Sequence, residues 1–346
     1  MDILIQEEYL KRAMELHGKY PVVDAHLDLA GEILLRHLAG EKNVVQNHYL
    51  QHWGTAGINL VASSVYVENQ NLEHGWENAL AQIEALKEDI RESEEVKLIL
   101  TKEDLEQAAA GERIGILLYM EGLDPIGEDI DKLDELQCLG VRGAALTWSR
   151  PNALAVGCCK ATQHMQIPGK ITEVGKRAIK RLEKLSMFLD VSHLNDEGYE
   201  QLFSIAERPF IATHSCSRRV FENYRNMTDE QMKALAEQGG IMGVNGCKYI
   251  AGSLSGNHLE MLCRHIEYEV EQIGAEHVGF GFDLCDSYGR ARAALRGLPE
   301  SEPEDCLLYH GQVPLVTAAL LQRGMKMQDV KRIMGANFVD YFAMFL

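Results

Sequence analysis

Over almost its whole length the sequence alternates short, near-continuous apolar runs with longer amphipathic stretches. The runs are Pro21–Ala25, Gly57–Val67, Ile114–Met120, Val141–Thr147, Met187–Val191, Phe210–Thr213, Gly240–Val244 and Val278–Phe282. Between them, Glu77–Glu92, Ile171–Leu185, Asp229–Gln238, Leu259–Ile273 and Val313–Arg323 carry apolar residues at helical spacing. Apolar strands separated by helices predict a parallel sheet covered on both faces. Eight such strands are the number that closes a (β/α)8 TIM barrel, which needs about 250 residues. The 346 residues present are therefore sufficient. An open doubly wound sheet is the alternative, but no GxGxxG follows the first run.

No repeat, low-complexity tract or Pro/Ser-rich linker divides the chain, so residues 1–346 read as one domain. Leu4, Tyr9, Leu10 and Met14 predict a packed leading helix. Two stretches break the rhythm: Ser149–Lys170 after the fourth strand and Asp286–Gly311 after the eighth. Long loops in compact domains are usually functional or disordered. Their position favours function, because barrel active sites form at the C-terminal ends of the strands.

Charge narrows the partners. Lys and Arg number 34 against 52 Asp and Glu, a net −18. Nucleic acid and anionic membrane surfaces are both disfavoured, since each is recognised through cationic side chains. No apolar run reaches the roughly 18 to 20 residues of a membrane span. Asp2, Glu7 and Glu8 lie where a secretory signal would be basic and then apolar. Eight cysteines without CxxC spacing fit a reducing, cytoplasmic setting.

The strand ends carry the chemistry. The first run continues Asp24-Ala-His26-Leu-Asp28, and in an extended segment His26 and Asp28 point to one side. Glu121 follows the third run, His193 the fifth, His214 the sixth and Asp283 the eighth. Singly, each fits a structural role: a hydrogen-bonded loop histidine or a solvated strand-end carboxylate. Together they place three imidazoles and three carboxylates at one barrel mouth. That donor set suits Zn²⁺ or a similar divalent ion. Six ligands exceed one tetrahedral site, so two ions sharing a carboxylate is the economical arrangement.

The stretches VVDAHLDL, LLYMEG, GVRGAALTWS, FLDVSHLN, FIATHSCSR, YRNMTDEQM, VGFGFD and MGANF resemble the membrane (renal-type) dipeptidase family. The resemblance runs over nearly the full length. It implies a (β/α)8 barrel of the metal-dependent hydrolase type, two zinc ions, and hydrolysis of small dipeptides through a hydroxide shared by the metals. It implies that His26 and Asp28 hold one zinc, that His193 and His214 hold the other, and that Glu121 bridges them. Asp283 would sit beside the first zinc and carry the proton. Arg225, in YRNMTDE, would hold the substrate's terminal carboxylate, and a homodimer would fit the family.

Two departures bear on substrate preference. The kidney member has a histidine after the Leu-Thr of the fourth strand, where this chain has Trp148. That histidine would contact the carbonyl oxygen; here the contact would fall to the metals alone or to Asn152 or His164 of the following loop, while Trp148 would narrow the substrate pocket. Gly246-Cys247 replaces aromatic residues near the substrate. Related barrels bridge their metals through a carboxylated lysine on the fourth strand, but Leu139–Arg150 contains no Lys. A hydrolase of N-acyl amino acids or lactones, and a catalytically impaired metal-binding homologue, are the competing readings. His17, His37, His48, His52, His74, His258, His265 and His277 are expected to be structural, as is Cys158-Cys159. Pro299–Asp305 is expected to be a solvated acidic loop.

Overall fold

A computed structural model describes residues 2–162 and 165–346. Each of the eight apolar runs contains a strand: β1 Val23–Leu27, β2 Leu60–Tyr66, β3 Ile114–Glu121, β4 Val141–Ala145, β5 Phe188–Asp190, β6 Ala212–Ser215, β7 Met242–Val244 and β8 Val278–Phe280. Strands β1 to β5 pair in parallel in chain order, and β6 to β8 form a second parallel sheet. Helices lie between successive strands, giving the barrel order expected from the sequence.

Two seams join the sheets, and a buried aspartate stitches each. At the β5–β6 seam only a single parallel bridge, Asp190 to Ile211, continues the ladder. The Asp190 carboxylate accepts from Thr213 N at 3.0 Å, Thr213 Oγ1 at 2.8 Å and Ser192 N at 3.0 Å. At the β8–β1 seam, Asp24 Oδ1 accepts from Phe282 N at 2.9 Å, and His310 Nε2 donates to Asp24 Oδ2 at 2.9 Å. Asp283 N donates to His26 O at 3.3 Å on the same seam. Charge-assisted bonds thus replace missing ladder bonds where backbone groups would otherwise be buried unpaired.

The barrel interior is filled from below. Val23, Ala25, Leu60, Ala62, Leu117, Tyr119 and Phe188 pack with Phe338, Tyr341, Phe342 and Phe345 from the chain's end. Glycine makes room for two of these rings. A Cβ at Gly143 would lie 2.3 Å from the Phe188 ring, and one at Gly279 would lie 2.4 Å from Phe338. With the lower barrel closed by aromatic side chains, polar groups can converge only at the upper end.

The expected helices form within about two residues of their predicted limits, at Gly75–Ile90, Glu173–Lys184, Asp229–Glu237, His258–Ile273 and Val313–Gln322. In Glu173–Lys184, Thr172 accepts from Gly175 N at 3.0 Å as N-cap while Ala178, Ile179 and Leu182 are buried. The leading helix spans Glu7–His17.

Three features differ from expectation. A short strand, Val96–Leu98, pairs with the outer half of β3; three residues are too few to show a period. The stretch after β4 contains a two-stranded antiparallel pair, Lys160–Thr162 with Met165–Gln166. The segment after β8 is not loop throughout but opens as a helix, Asp286–Arg296. Its first amides are satisfied from afar: Asp305 accepts from Cys285 N at 3.1 Å and Asp286 N at 2.8 Å. Residues 299–304 are exposed as expected, but Asp305 is buried by this capping.

Candidate metal centre

The side chains expected from strands β1, β3, β5, β6 and β8 meet at the mouth. His26 ends the regular part of β1, where the register against β2 shifts between Asp24 and Leu27. His26 Nε2 lies 3.8 Å from Asp28 Oδ1, 3.4 Å from Asp283 Oδ1 and 3.7 Å from Glu121 Oε2. The other oxygen of Glu121 lies 2.8 Å from His193 Nε2 and 3.6 Å from His214 Nε2. The two Nε2 atoms of His193 and His214 are 2.9 Å apart. Glu121 therefore turns one oxygen toward each half of the cluster.

Neighbouring hydroxyls set the imidazole orientations. Nδ1 of His26 pairs with Tyr119 OH, Nδ1 of His193 with Ser149 Oγ at 2.8 Å, and Nδ1 of His214 with Thr213 Oγ1 at 2.8 Å. Each pairing leaves Nε2 directed inward, the arrangement that supports metal ligation. Tyr119 stands two residues before Glu121 on the same strand face, so its place was open to inference from period alone.

The residues fit a divalent cation. His26 Nε2 is buried and has no hydrogen-bond partner among the described residues. Burial, with Arg225 and His26 adding to it, drives His193 and His214 well below the ordinary imidazole range, leaving free lone pairs. Burial pushes the Glu121 carboxyl well up, against the opposing pull of His26. For His26, burial acts downward, but Glu121, Asp283 and Asp28 outweigh it and the imidazole rises to about 10.

The membrane dipeptidase model, Peptidase family M19, matches residues 10–343. The chain belongs to this family.

Within it, Dipeptidase 3 of Homo sapiens is 25% identical over 351 residues, covering 96% of this chain and 66% of that protein. An uncharacterized protein of the PQQ-III 3′ region of Acinetobacter calcoaceticus is 30% identical over 186 residues, 52% of this chain and 59% of its own. The chain thus spans less than two thirds of the length of these relatives. Among solved structures, a Rhodobacter sphaeroides metallo peptidase with a bound phosphinate mimic of the dipeptide L-Ala-D-Ala superposes with a TM-score of 0.82. It is 22% identical and covers 95% of this chain and 100% of its own. The dipeptidase AC metallo peptidase gives 0.81 at 23% identity, over 94% and 99% of the two chains. These likenesses carry the fold: an α/β barrel of the family's type.

Against this family pattern the remaining candidates separate. Arg225 reaches the centre and is only 6% exposed. Its guanidinium donates to Ser192 O and, at 3.3 Å, to His214 O, and lies 3.3 Å from His193 Nε2. No carboxylate lies within ion-pair distance of it among the described residues. Trp148 also lines the mouth, stacked on His193 with ring centroids 5.7 Å apart and tilted at 42° against Tyr66 at 5.0 Å.

Asn152 is engaged within the loop after β4. Its amide donates to Leu146 O at 2.8 Å and accepts from Leu154 N at 2.8 Å and Ala155 N at 3.1 Å. Those bonds engage the amide oxygen and one of its two N–H donors in shaping the loop. His164 lies outside the described residues. Cys247 is partly buried beside the site; burial, then Asp283, pushes its thiol up to about 12. All eight cysteines are free. No helix among the described residues is long and apolar enough to cross a membrane.

Sequence reasoning passed over Tyr66, although it lies in the second apolar run and ends strand β2 as Glu121 ends β3. It also passed over the positive φ of Asp283, at 55°. No residue pattern signals that strain, because it arises where the chain turns out of β8 beside His26.

Proposed function

We propose that this protein is a zinc-dependent dipeptidase that hydrolyses dipeptides bearing a free C-terminal carboxylate. The observation that carries the substrate class is Arg225. A buried guanidinium without a carboxylate partner is costly unless an anion completes it. Its position beside His193 and His214 would hold a substrate carboxylate a short distance from the scissile bond. A bidentate pair there restricts the substrate to a very short peptide.

Two zinc ions fit the donor set: His26 and Asp28 for one, His193 and His214 for the other, Glu121 between them and Asp283 beside the first. When bound, zinc supplies Lewis-acid polarisation of the carbonyl and water of much lowered pKa. The chain's own groups do the rest. Asp283 accepts the proton of the attacking water and returns it to the departing amine. Its carboxyl is prepared for ionisation: burial acts to raise it, but His26, Cys285 and Asn245 outweigh that and lower it. Trp148 forms the wall beside the scissile bond and limits the side chains accepted. Eight free thiols support a reducing, cytoplasmic setting, and a homodimer is to be read by light scattering.

The test is a panel of dipeptides in L and D configurations, including L-Ala-D-Ala, whose phosphinate mimic the Rhodobacter sphaeroides protein binds. C-terminally amidated dipeptides, an N-acyl amino acid and a lactone serve as controls. Free dipeptides should be cleaved, and Arg225→Ala should raise KM for them by at least about tenfold, the loss of a charge-assisted pair worth roughly 1.5 to 3 kcal/mol. Amidated substrates should be poor for the wild type and little changed by the substitution. Preferred cleavage of the lactone, or equal effects on amidated and free dipeptides, would reject the reading. Elemental analysis of protein purified without chelator should find two divalent metals per chain.

A further inference from the structure

Eight strand ends ring the mouth, and five supply the ligand set described above. The other three strands, β2, β4 and β7, contribute Tyr66, Trp148 and Asn245 at or just beyond their ends. Asn245 is committed, donating to Asp283 Oδ2 at 3.0 Å and accepting from Cys247 N at 2.7 Å. Trp148 lies with its ring face on His193, the planes 29° apart, so its N–H runs nearly parallel to the imidazole. Tyr66 is placed differently. It pairs in register with Glu121 across β2 and β3, and two residues earlier on the same face Ser64 Oγ donates to Asp28 Oδ1.

The Tyr66 ring is held in a rigid socket. Arg150 lies 5.7 Å from the centre of the Tyr66 ring and 5.2 Å from that of Trp148. That guanidinium is itself fixed by Asp124 Oδ1 at 2.9 Å, Val67 O at 2.8 Å and Asn69 Oδ1 at 3.0 Å. Burial, and then the charges of Glu121 and Asp28, disfavour ionisation of the phenol, against the opposing pull of Arg150. At neutral pH a tyrosine phenol carries its proton, so Tyr66 is a donor and not a base.

We propose that the Tyr66 hydroxyl donates a hydrogen bond to the substrate's carbonyl oxygen as negative charge develops on it during hydrolysis. This rests on the dipeptidase reading and assigns that site its oxyanion donor. As the water oxygen bonds to the carbonyl carbon, the C=O π pair moves onto oxygen and meets the phenol O–H. The pair returns when the C–N bond breaks, and the amine leaves with the proton carried by Asp283. No proton leaves Tyr66 and no bond to it forms. Asn245 does not compete, being spent on Asp283, and the Trp148 ring lies over His193 with the planes 29° apart.

Tyr66→Phe removes the hydroxyl and keeps the ring in its socket. Loss of one such donor costs about 10² to 10³ in kcat. Expected are a fall in kcat of that order on a free dipeptide, KM within about twofold, and unchanged metal content. A phosphinate dipeptide mimic should bind more weakly by the same factor, while inhibition by the product amino acids stays the same. An active wild type with an equally active Tyr66→Phe overturns the role of Tyr66 alone. A loss confined to KM, or a loss of metal, would make the hydroxyl a positioning or structural group and also overturns it. So does Trp148→Phe lowering kcat while Tyr66→Phe does not, since the indole N–H would then be the donor. A wild type that cleaves no dipeptide overturns both this assignment and the reading it rests on.

Discussion

Asp283 is held in a left-handed backbone conformation, φ 55°, which costs a non-glycine residue of order 1 kcal/mol or more. The turn directs its carboxylate to His26 at 3.4 Å, while Asn245 at 3.0 Å and the Cys285 thiol at 3.2 Å keep it there. Glycine would remove the strain and the carboxylate together. Asparagine keeps the shape and one oxygen but cannot carry the proton. Asp283→Asn should therefore retain most of the bound metal while kcat falls about 10² to 10⁴-fold, the usual contribution of general acid–base catalysis. Steady-state kinetics beside elemental analysis separates the two effects, and a variant of unchanged kcat would remove Asp283 from proton transfer. At this scale the six candidate ligands were legible as residue types following apolar runs. Of their hydroxyl partners, Tyr119 was open to inference from the strand period; Ser149 and Thr213 were not, because no spacing in the sequence assigns a hydroxyl to a particular imidazole nitrogen.

Among the elements, the eight strands and the major helices were legible because burial imposes a period on the sequence. The closure was not. The β8–β1 seam depends on Asp24, which is fully buried and bonded to Phe282 N and His310 Nε2. Asp24 stands two residues before His26 and reads equally well as another ligand; only the fold turns it to the seam. Asp24→Ala should lower stability by about 2 to 6 kcal/mol, because it leaves two buried donors, Phe282 N and His310 Nε2, without an acceptor at about 1 to 3 kcal/mol each. Asp24→Asn keeps an acceptor for Phe282 N and should cost less. Urea unfolding of the metal-free protein checks both; equal midpoints for wild type and Asp24→Ala would show that the seam closes without it. The helix Asp286–Arg296 teaches the same lesson, since its cap lies at Asp305, far along the chain.

At the scale of the whole molecule, the net charge of −18 cannot draw in an anionic substrate, so a carboxylate must be captured locally by Arg225 and the cations the site holds. The same packing that buries the site also buries histidines with no part in it. His17 donates from Nδ1 to Ala56 O at 2.5 Å and accepts at Nε2 from Thr317 Oγ1 at 2.8 Å. His265 donates to Ala251 O at 3.1 Å and accepts from Ser217 N at 3.2 Å. Burial outweighs the favourable backbone contact in each and lowers both from 6.5 to about 4. Below pH 6.5 the unfolded chain takes up protons that the folded chain refuses, so stability falls as pH drops through the window from 6.5 to about 4 and is full above it. Each histidine contributes up to about 3 kcal/mol to that loss. His17→Gln should flatten part of the slope of denaturation midpoint against pH between 7 and 4.5. A variant with the wild-type slope would exclude His17 as a source.

The amino-acid sequence alone determined the barrel, its strand order and the donor types at its mouth. Burial periodicity and ligand chemistry are local properties, written into residues a few positions apart. Only the tertiary structure decided how Glu121 divides its oxygens, that Arg225 lies buried with no counter-ion among the described residues, that Asn152 is engaged by its own loop, and that Tyr66 faces the site. Each of those depends on groups from different strands competing for the same few ångströms, and that competition is resolved only once the barrel has closed.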